Sequence, residues 1–215
     1  MTGSRGRNGT SVTFRTIVAD PPWTYGSPGA FKGGSWATTV NGDKTRSGVS
    51  VEQRYQTLTL DDICAMPLSP FIEDDAYLWL WIPNEHLLRG VHTRVCDAWG
   101  FTVKGSMVWV KTNSIGVGYW LRYNHEHIVL ATRGDPGPLK AGNIRSSLLE
   151  KRSRHSAKPE AFFRLVERGC PGPYLSLFER GERGEQGDLL QERQEWTVWG
   201  NEVGDPLGIG FGPWK

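Results

Sequence analysis

A chain of 215 residues is long enough for one sizeable domain and too short for two full ones. With 38% hydrophobic and 22% charged residues it reads as soluble and globular, and no stretch approaches the roughly 18 apolar residues that membrane crossing requires. A net charge of +2 neither requires nor excludes nucleic acid, while Cys64, Cys96 and Cys170, an odd and scattered set without a Cys-x-x-Cys pair, speak against a disulfide framework or zinc and for free thiols in a reducing cytoplasm.

Met1 to Ser11 is rich in Gly, Ser, Arg and Asn without an apolar core, so it is no signal peptide. Residues 1–12 are expected to be a disordered lead-in, residues 13–203 the domain, and residues 204–215 a loose tail. Thr13 to Asp20 reads as a strand rich in β-branched residues. Its apolar run Ile17-Val18-Ala19 places Asp20 where a buried strand ends, and open α/β sheets bind ligands at the carboxyl ends of strands. Pro21 and Pro22 fix the turn and remove two backbone donors, which leaves carbonyls free to accept; Trp23 follows at once. A carboxylate, carbonyls and a ring held together suit a planar base bearing an amino group. The bland alternative is a proline-rich loop with an exposed acid, and for Trp23 a core ring near the sheet edge.

Thr24 to Arg54 is Gly-rich and aperiodic, and loops of that length are functional or disordered. Leu60 to Met66 is expected to be a short helix stopped by Pro67, and Ala76 to Ile82 a buried strand closed by Pro83. Asn84 reads as the N-cap of one helix carrying Leu87, Leu88, Val91, Val95 and Ala98 on its buried face, with Gly100 as its stop. Phe101 to Lys111 and His127 to Thr132 read as strands. Lys140 to His155 is a loop with Lys140, Arg145, Lys151, Arg152 and Arg154 against Glu150; a phosphate-contacting surface and a solvated loop are equal readings. Lys158 to Arg168 is a helix with Pro159 in its first turn and Gly169 after it. Tyr174 to Phe178 and Trp196 to Trp199 are the last strands. Strands alternating with helices predict an α/β fold with a parallel, helix-covered sheet.

Lys111, Arg122 and Glu126 read as buried polar residues in or beside strands, either as an ion pair bracing a pocket or as direct contacts to a ligand. His125 and His127 are two apart on a strand and share a face, but no further ligands cluster with them, so a metal is not expected. Gly116 to Gly118 is too short for a phosphate loop. Among ten tryptophans, some are available for stacking rather than packing.

Several blocks stand in a fixed order from about Ile17 to Glu202. They are Asp20-Pro21-Pro22-Trp23, Tyr55-Gln56-Thr57-Leu58, Leu78 to Asn84, Trp99-Gly100-Phe101, and Val108-Trp109-Val110-Lys111-Thr112-Asn113. Gly116 to Arg122, Glu126-His127, His155-Ser156-Ala157-Lys158-Pro159, Leu175 to Arg180, and Trp196 to Glu202 follow. The series resembles the MT-A70 family of adenine N6-methyltransferases, which includes writers of N6-methyladenine in messenger RNA and many phage and bacterial DNA enzymes.

The resemblance implies a Rossmann-like methyltransferase sheet, mostly parallel with helices on both faces and permuted, so that the acid motif is early and the cofactor strand late. It implies S-adenosyl-L-methionine as cofactor and Asp20, Pro21, Pro22 and Trp23 as the catalytic motif. Asp20, Lys158, Arg180, Asn201 and Glu202 match cofactor-holding positions, with Lys158 near the methionine carboxylate. Trp23, Tyr55, Lys111, Arg122 and Glu126 fall on the substrate side. Tyr55 lies by resemblance on a mobile loop over the base; a packing anchor for the following helix is its equal alternative. Where eukaryotic members usually have Ser-His-Lys-Pro this chain has His-Ser-Ala-Lys-Pro, so no role passes to His155. Ser176 stands where relatives often carry Glu, which weakens or replaces one ribose contact. The upstream segment from which relatives add cofactor contacts is expected to be missing, since only Met1 to Val12 precedes the first strand.

The expected activity is methyl transfer to adenine N6 in nucleic acid, DNA ahead of RNA because the chain is compact and most like phage and bacterial members. A cytoplasmic location follows from that reading, no membrane is involved, and homo- or heterodimerisation stays open. The rival readings are a catalytically silent nucleic-acid-binding subunit, against which the intact Asp20 to Trp23 motif stands, and methylation of a small molecule or protein amide.

Overall fold

In a computed structural model, which describes residues 12–24, 57–114, 121–152, 158–178, 196–200, 205 and 207–209, the chain forms a seven-stranded mixed sheet with helices on both faces. The elements in chain order are β1 (Phe14–Ala19), α1 (Leu60–Cys64), a 3-10 turn (Ser69–Phe71), β2 (Ile72–Ile82), α2 (Asn84–Leu88) and α3 (Val91–Ala98). Then come β3 (Thr102–Lys111), β4 (His125–Arg133), β5 (Ser147–Glu150), α4 (Glu160–Gly169), β6 (Tyr174–Leu177) and β7 (Trp196–Trp199).

The strand order is β5-β3-β4-β2-β1-β6-β7. β1 runs parallel to β2 and β6, β6 to β7, and β3 to β5. This is the mostly parallel Rossmann-like arrangement expected, in its permuted form: the early strand β1 and the late strand β6 lie side by side. β4 departs from it, pairing antiparallel with both β2 and β3. Neighbouring strands that follow one another directly can pair this way without a crossover helix.

The pleat sorts each central strand between two cores. From β2, Ala76, Leu78, Leu80 and Ile82 face one way, with Ile63 of α1 and Val95 and Cys96 of α3. Tyr77, Trp79 and Trp81 face the other, with Phe162, Phe163 and Val166 of α4. Burial on both faces is why β2 reads as a continuous apolar run rather than an alternation. The α4 face is aromatic: Trp81 meets Phe162 at 4.8 Å and Trp109 at 5.9 Å, both edge-on.

Three local expectations change. The helix expected from Asn84 to Ala98 is two helices, α2 and α3, because Gly90 sits at φ 69 in the left-handed region and caps the second. Asn84 is not the cap of the first; Pro83 holds that position, and the Asn84 side-chain oxygen lies 3.1 Å from His127 Nε2 instead. The charged stretch from Lys140 to His155 contains a strand, β5, that forms the sheet edge. It is short and carries exposed Ser147 and Leu149, so its pattern resembled a loop. Elsewhere Thr59 and Asp62 close a reciprocal capping box on α1, Gly100 at φ 79 ends α3, and the three cysteines are free. Among the described residues no helix is long and apolar enough to cross a membrane.

Candidate active site

β1 delivers its acid beside β6. The Asp20 amide donates to the Leu177 carbonyl at 3.3 Å, so the acid is held at the carboxyl ends of two adjacent parallel strands. The chain then folds tightly: the Trp23 amide donates to the Pro21 carbonyl at 2.8 Å, and the Leu58 amide donates to the Pro22 carbonyl at 2.9 Å. The Thr24 hydroxyl closes the arrangement onto the Leu58 carbonyl at 2.8 Å. The expectation of free carbonyls is therefore corrected, since the prolines lost their own donors but neighbouring amides reach their oxygens. Each carbonyl oxygen still has a second lone pair.

Trp23 is 4% exposed and belongs to the α1–α3 core. Its indole N–H donates to the Trp81 carbonyl at 3.1 Å, and its ring lies 5.3 Å from that of His86. This placement is that of the core ring, the alternative to a ring presented to a base. Burial lowers the His86 pKa, which keeps that imidazole neutral near pH 7.

Asp20 faces the other side of the sheet, where four charges alternate in sign. Lys158, just ahead of α4, places its Nζ 3.0 Å from Asp20 Oδ2 and 2.8 Å from Glu126 Oε2. Lys111, at the end of β3, places its Nζ 2.5 Å from Glu126 Oε1. Glu126 can take both lysines because β4 runs antiparallel, which brings its beginning to the sheet end where β1 and β3 finish. The lysines lie over indole faces, Lys158 at 4.5 Å from the Trp81 ring centre and Lys111 at 5.1 Å from that of Trp109. The lysine side chains are 13% and 17% exposed, those of Glu126 and Asp20 31% and 36%, so the string is mostly withdrawn from water and open at its Asp20 end.

Burial works against the Glu126 carboxylate, but Lys158 and Lys111 outweigh it and hold its pKa down at about 2. Burial also opposes the Lys158 ammonium, yet Asp20 and Glu126 hold it well above the ordinary lysine value. Both groups are charged throughout the physiological range. Glu126 and Lys158 can therefore orient a carboxylate at a strand end while keeping their own charges.

Of the residues singled out from sequence, Asp20, Lys158, Glu126 and Lys111 come together in one site. Arg122 does not: it is exposed, ahead of β4, rather than buried beside the pair. Tyr55, His155, Gly116 to Gly118, Arg180, Asn201 and Glu202 lie outside the described residues. Ser176 is buried within β6, level with Val18 of β1 and Val198 of β7. The site also includes residues that sequence reading missed, Trp81 and Trp109, which floor the string. Alternation was their signal: Trp81 faces with Trp79 toward α4, the side to which Val18 and Asp20 of β1 also turn. Phe178, expected as the last residue of a strand from Tyr174, follows β6 at φ 68, buried, with its ring 5.6 Å from that of Trp199. A bulky side chain with positive φ is uncommon, and this one comes directly after the Leu177 carbonyl that accepts from the Asp20 amide.

The MT-A70 family model matches residues 14–202. The chain is 26% identical over 199 residues to the human N(6)-adenosine-methyltransferase catalytic subunit METTL3, covering 88% of this chain and 28% of that protein. Similarity to the Drosophila melanogaster N(6)-adenosine-methyltransferase MT-A70-like protein is 25% over 199 residues, covering 27% of that protein. The chain thus spans little more than a quarter of these relatives. The type II methyltransferase M.MunI of Mycoplasma sp is 26% identical over 195 residues, 89% of this chain and 78% of that protein.

Proposed function

The chain belongs to the MT-A70 family, and from that premise we propose that it transfers a methyl group from S-adenosyl-L-methionine to N6 of adenine in nucleic acid, with DNA ahead of RNA. The observation that carries the reading is Asp20, fixed at the carboxyl end of β1 beside β6 and gripped by Lys158 at 3.0 Å. What supports DNA is the likeness to the type II methyltransferase of Mycoplasma sp, matched over 78% of its length against 28% of the human relative.

The donor set fits the cofactor. A carboxylate suits the neighbourhood of a sulfonium, an ammonium suits an amino-acid carboxylate, and Asp20 and Lys158 bring these to the mouth between β1 and β6. By the family pattern Arg180, Asn201 and Glu202 would hold its ribose and adenine. When bound, the cofactor supplies an electrophilic methyl group.

The chain's own task is to prepare the amine. Adenine's amino nitrogen is a poor nucleophile because its lone pair is delocalised into the ring. A carboxylate offers two oxygens and about four acceptor directions, so Asp20 can hold Lys158 and accept one amino hydrogen together. The remaining lone pair of the Pro21 carbonyl can accept the other. Two acceptors on one amine draw it toward a tetrahedral shape and aim its lone pair. No strong base is needed beforehand, since a proton leaves readily once the nitrogen is cationic. Such positioning can lower a barrier by roughly 7–11 kcal/mol. The backbone bonds from Trp23 and Leu58 keep the turn rigid, and Trp23 acts as its anchor in the core rather than as a platform. An adenine within a duplex has to leave the stack to reach Asp20, or be single-stranded already.

The test is transfer of tritiated methyl from the labelled cofactor to matched single- and double-stranded DNA and RNA, followed by nucleoside analysis. The expected product is N6-methyladenine. Label on cytosine, or on protein alone, overturns the proposal.

A further inference from the structure

We infer that Lys111 is a positioning residue for Asp20, acting through Glu126 and Lys158 rather than by touching the nucleotide. The inference deepens the methyltransferase reading and rests on it. Lys111 is the far end of the string, and three contacts separate it from the acid: Nζ to Glu126 Oε1 at 2.5 Å, Glu126 Oε2 to Lys158 Nζ at 2.8 Å, and Lys158 Nζ to Asp20 Oδ2 at 3.0 Å. The signs of these four side chains alternate and sum to zero.

Glu126 is shared. With Lys111 present, each of its oxygens has its own ammonium, and Lys158 can divide itself between two carboxylates. Without Lys111 the string carries a net negative charge. Glu126 would then satisfy both oxygens from Lys158, drawing that ammonium away from Asp20. The indole floor limits the alternatives, because Trp81 and Trp109 meet edge to face at 5.9 Å beneath the lysines and leave them no sideways retreat into the core. A partly buried ion pair contributes little net stability compared with apolar residues of similar size. What it supplies is a fixed geometry, and the end of this one lies at the reacting carboxylate.

Lys111→Met removes the charge and keeps the stem over Trp109, whereas Lys111→Arg keeps both. For Lys111→Met the expected result is a fall in kcat of about 10- to 100-fold, the scale of an ångström-sized misplacement, with KM for the polynucleotide unchanged within about twofold. Lys111→Arg should recover most of kcat. In parallel, carbon-13 carboxyl resonances assigned to Asp20 should shift in Lys111→Met and return in Lys111→Arg, a readout that needs no turnover. A raised KM with kcat intact would mean direct contact with nucleic acid and would overturn the inference. So would an Asp20 resonance indifferent to Lys111, or an arginine variant no better than methionine. Should the wild-type chain transfer no methyl group to any polynucleotide, the functional reading fails by itself, and the resonance shift alone decides whether Lys111 positions Asp20. If Lys111→Met fails to fold, Lys111→Gln and the Asp20 resonance replace it in the same comparison.

Discussion

On the α1–α3 face of the sheet, Ile17, Leu78, Leu80 and Val129 meet Ile63, Val95 and Cys96. On the α4 face the same strands present Val18, Trp79, Trp81 and Ile128, joined by Trp109 and the two phenylalanines of α4. The α1–α3 face mixes these aliphatic residues with Phe14, Trp99, Phe101 and Trp199, and Trp23 is tucked into it just past the carboxyl end of β1. The aromatic face ends in charges. Indoles line both faces, but those of Trp81 and Trp109 on the α4 face lie under ammonium groups, which an indole face attracts. The same turn serves both sides, since Asp20 joins the string while Trp23, three residues on, is sunk into the opposite core. Chemistry and anchorage are thus divided between the faces and joined at a single turn.

That division can be broken most severely at Asp20. Asp20→Ala should reduce methyl transfer by about 10³-fold or more while leaving the circular dichroism spectrum and thermal midpoint near wild type. A variant with near-wild-type turnover would remove the acid from its role. Next in size is the anchor. Trp23→Ala should destabilise the fold by about 3–5 kcal/mol, read from denaturant midpoints, and Trp23→Phe by about 1 kcal/mol for the lost bond to Trp81, with transfer retained. Transfer lost in Trp23→Phe at unchanged stability would move that ring to the substrate side.

A smaller effect separates the faces by pH. The Glu126 pKa is held at about 2, below its ordinary 4.5, so its contribution to stability is complete above about pH 4.5 and is lost as pH falls toward 2. The side chain is 31% exposed, and after solvent screening a loss on the order of 1–2 kcal/mol is expected across that window. Glu126→Gln should flatten the stability profile there; an unchanged slope would show that the string does not hold Glu126. The smallest effect belongs to an ion pair far from water exclusion. Arg164 and Glu160 form an exposed i,i+4 pair on α4, and Arg164→Ala should cost about 0.3–0.5 kcal/mol, diminishing with added salt. A larger loss would mean that surface pairs matter here as much as the withdrawn string.

Much of this was legible in the sequence. The runs Ile17 to Ala19 and Ala76 to Ile82 are buried strands because both faces of the sheet are covered, and the end of α3 follows from Gly100. The ordered motifs identified the family, and Asp20, Lys158, Glu126 and Lys111 were all marked before their contacts were known. What escaped notice depended on tertiary partners. Nothing local in Ser147 to Glu150 distinguishes an edge strand from a polar loop; β3 makes it one. The Pro22 carbonyl reads as free because its donor, the Leu58 amide, is brought in from a distant part of the chain. For Trp23 the sequence leaves a ring presented to a base and a core ring both open, because the partner that favours the second, the Trp81 carbonyl, lies 58 positions away. Arg122 reads as buried from sequence because it precedes β4, but the buried positions of that strand begin only at Ile128.

The reversed direction of β4 has an evolutionary corollary. Since β3 ends and β4 begins at the mouth of the site and the two pair antiparallel, the link between them needs no crossover. Such a link can lengthen, shorten or accept a grafted module without rethreading any strand. Under the proposed function, target preference is expected to diverge there among descendants of one scaffold while the string from Lys111 to Asp20 is inherited intact.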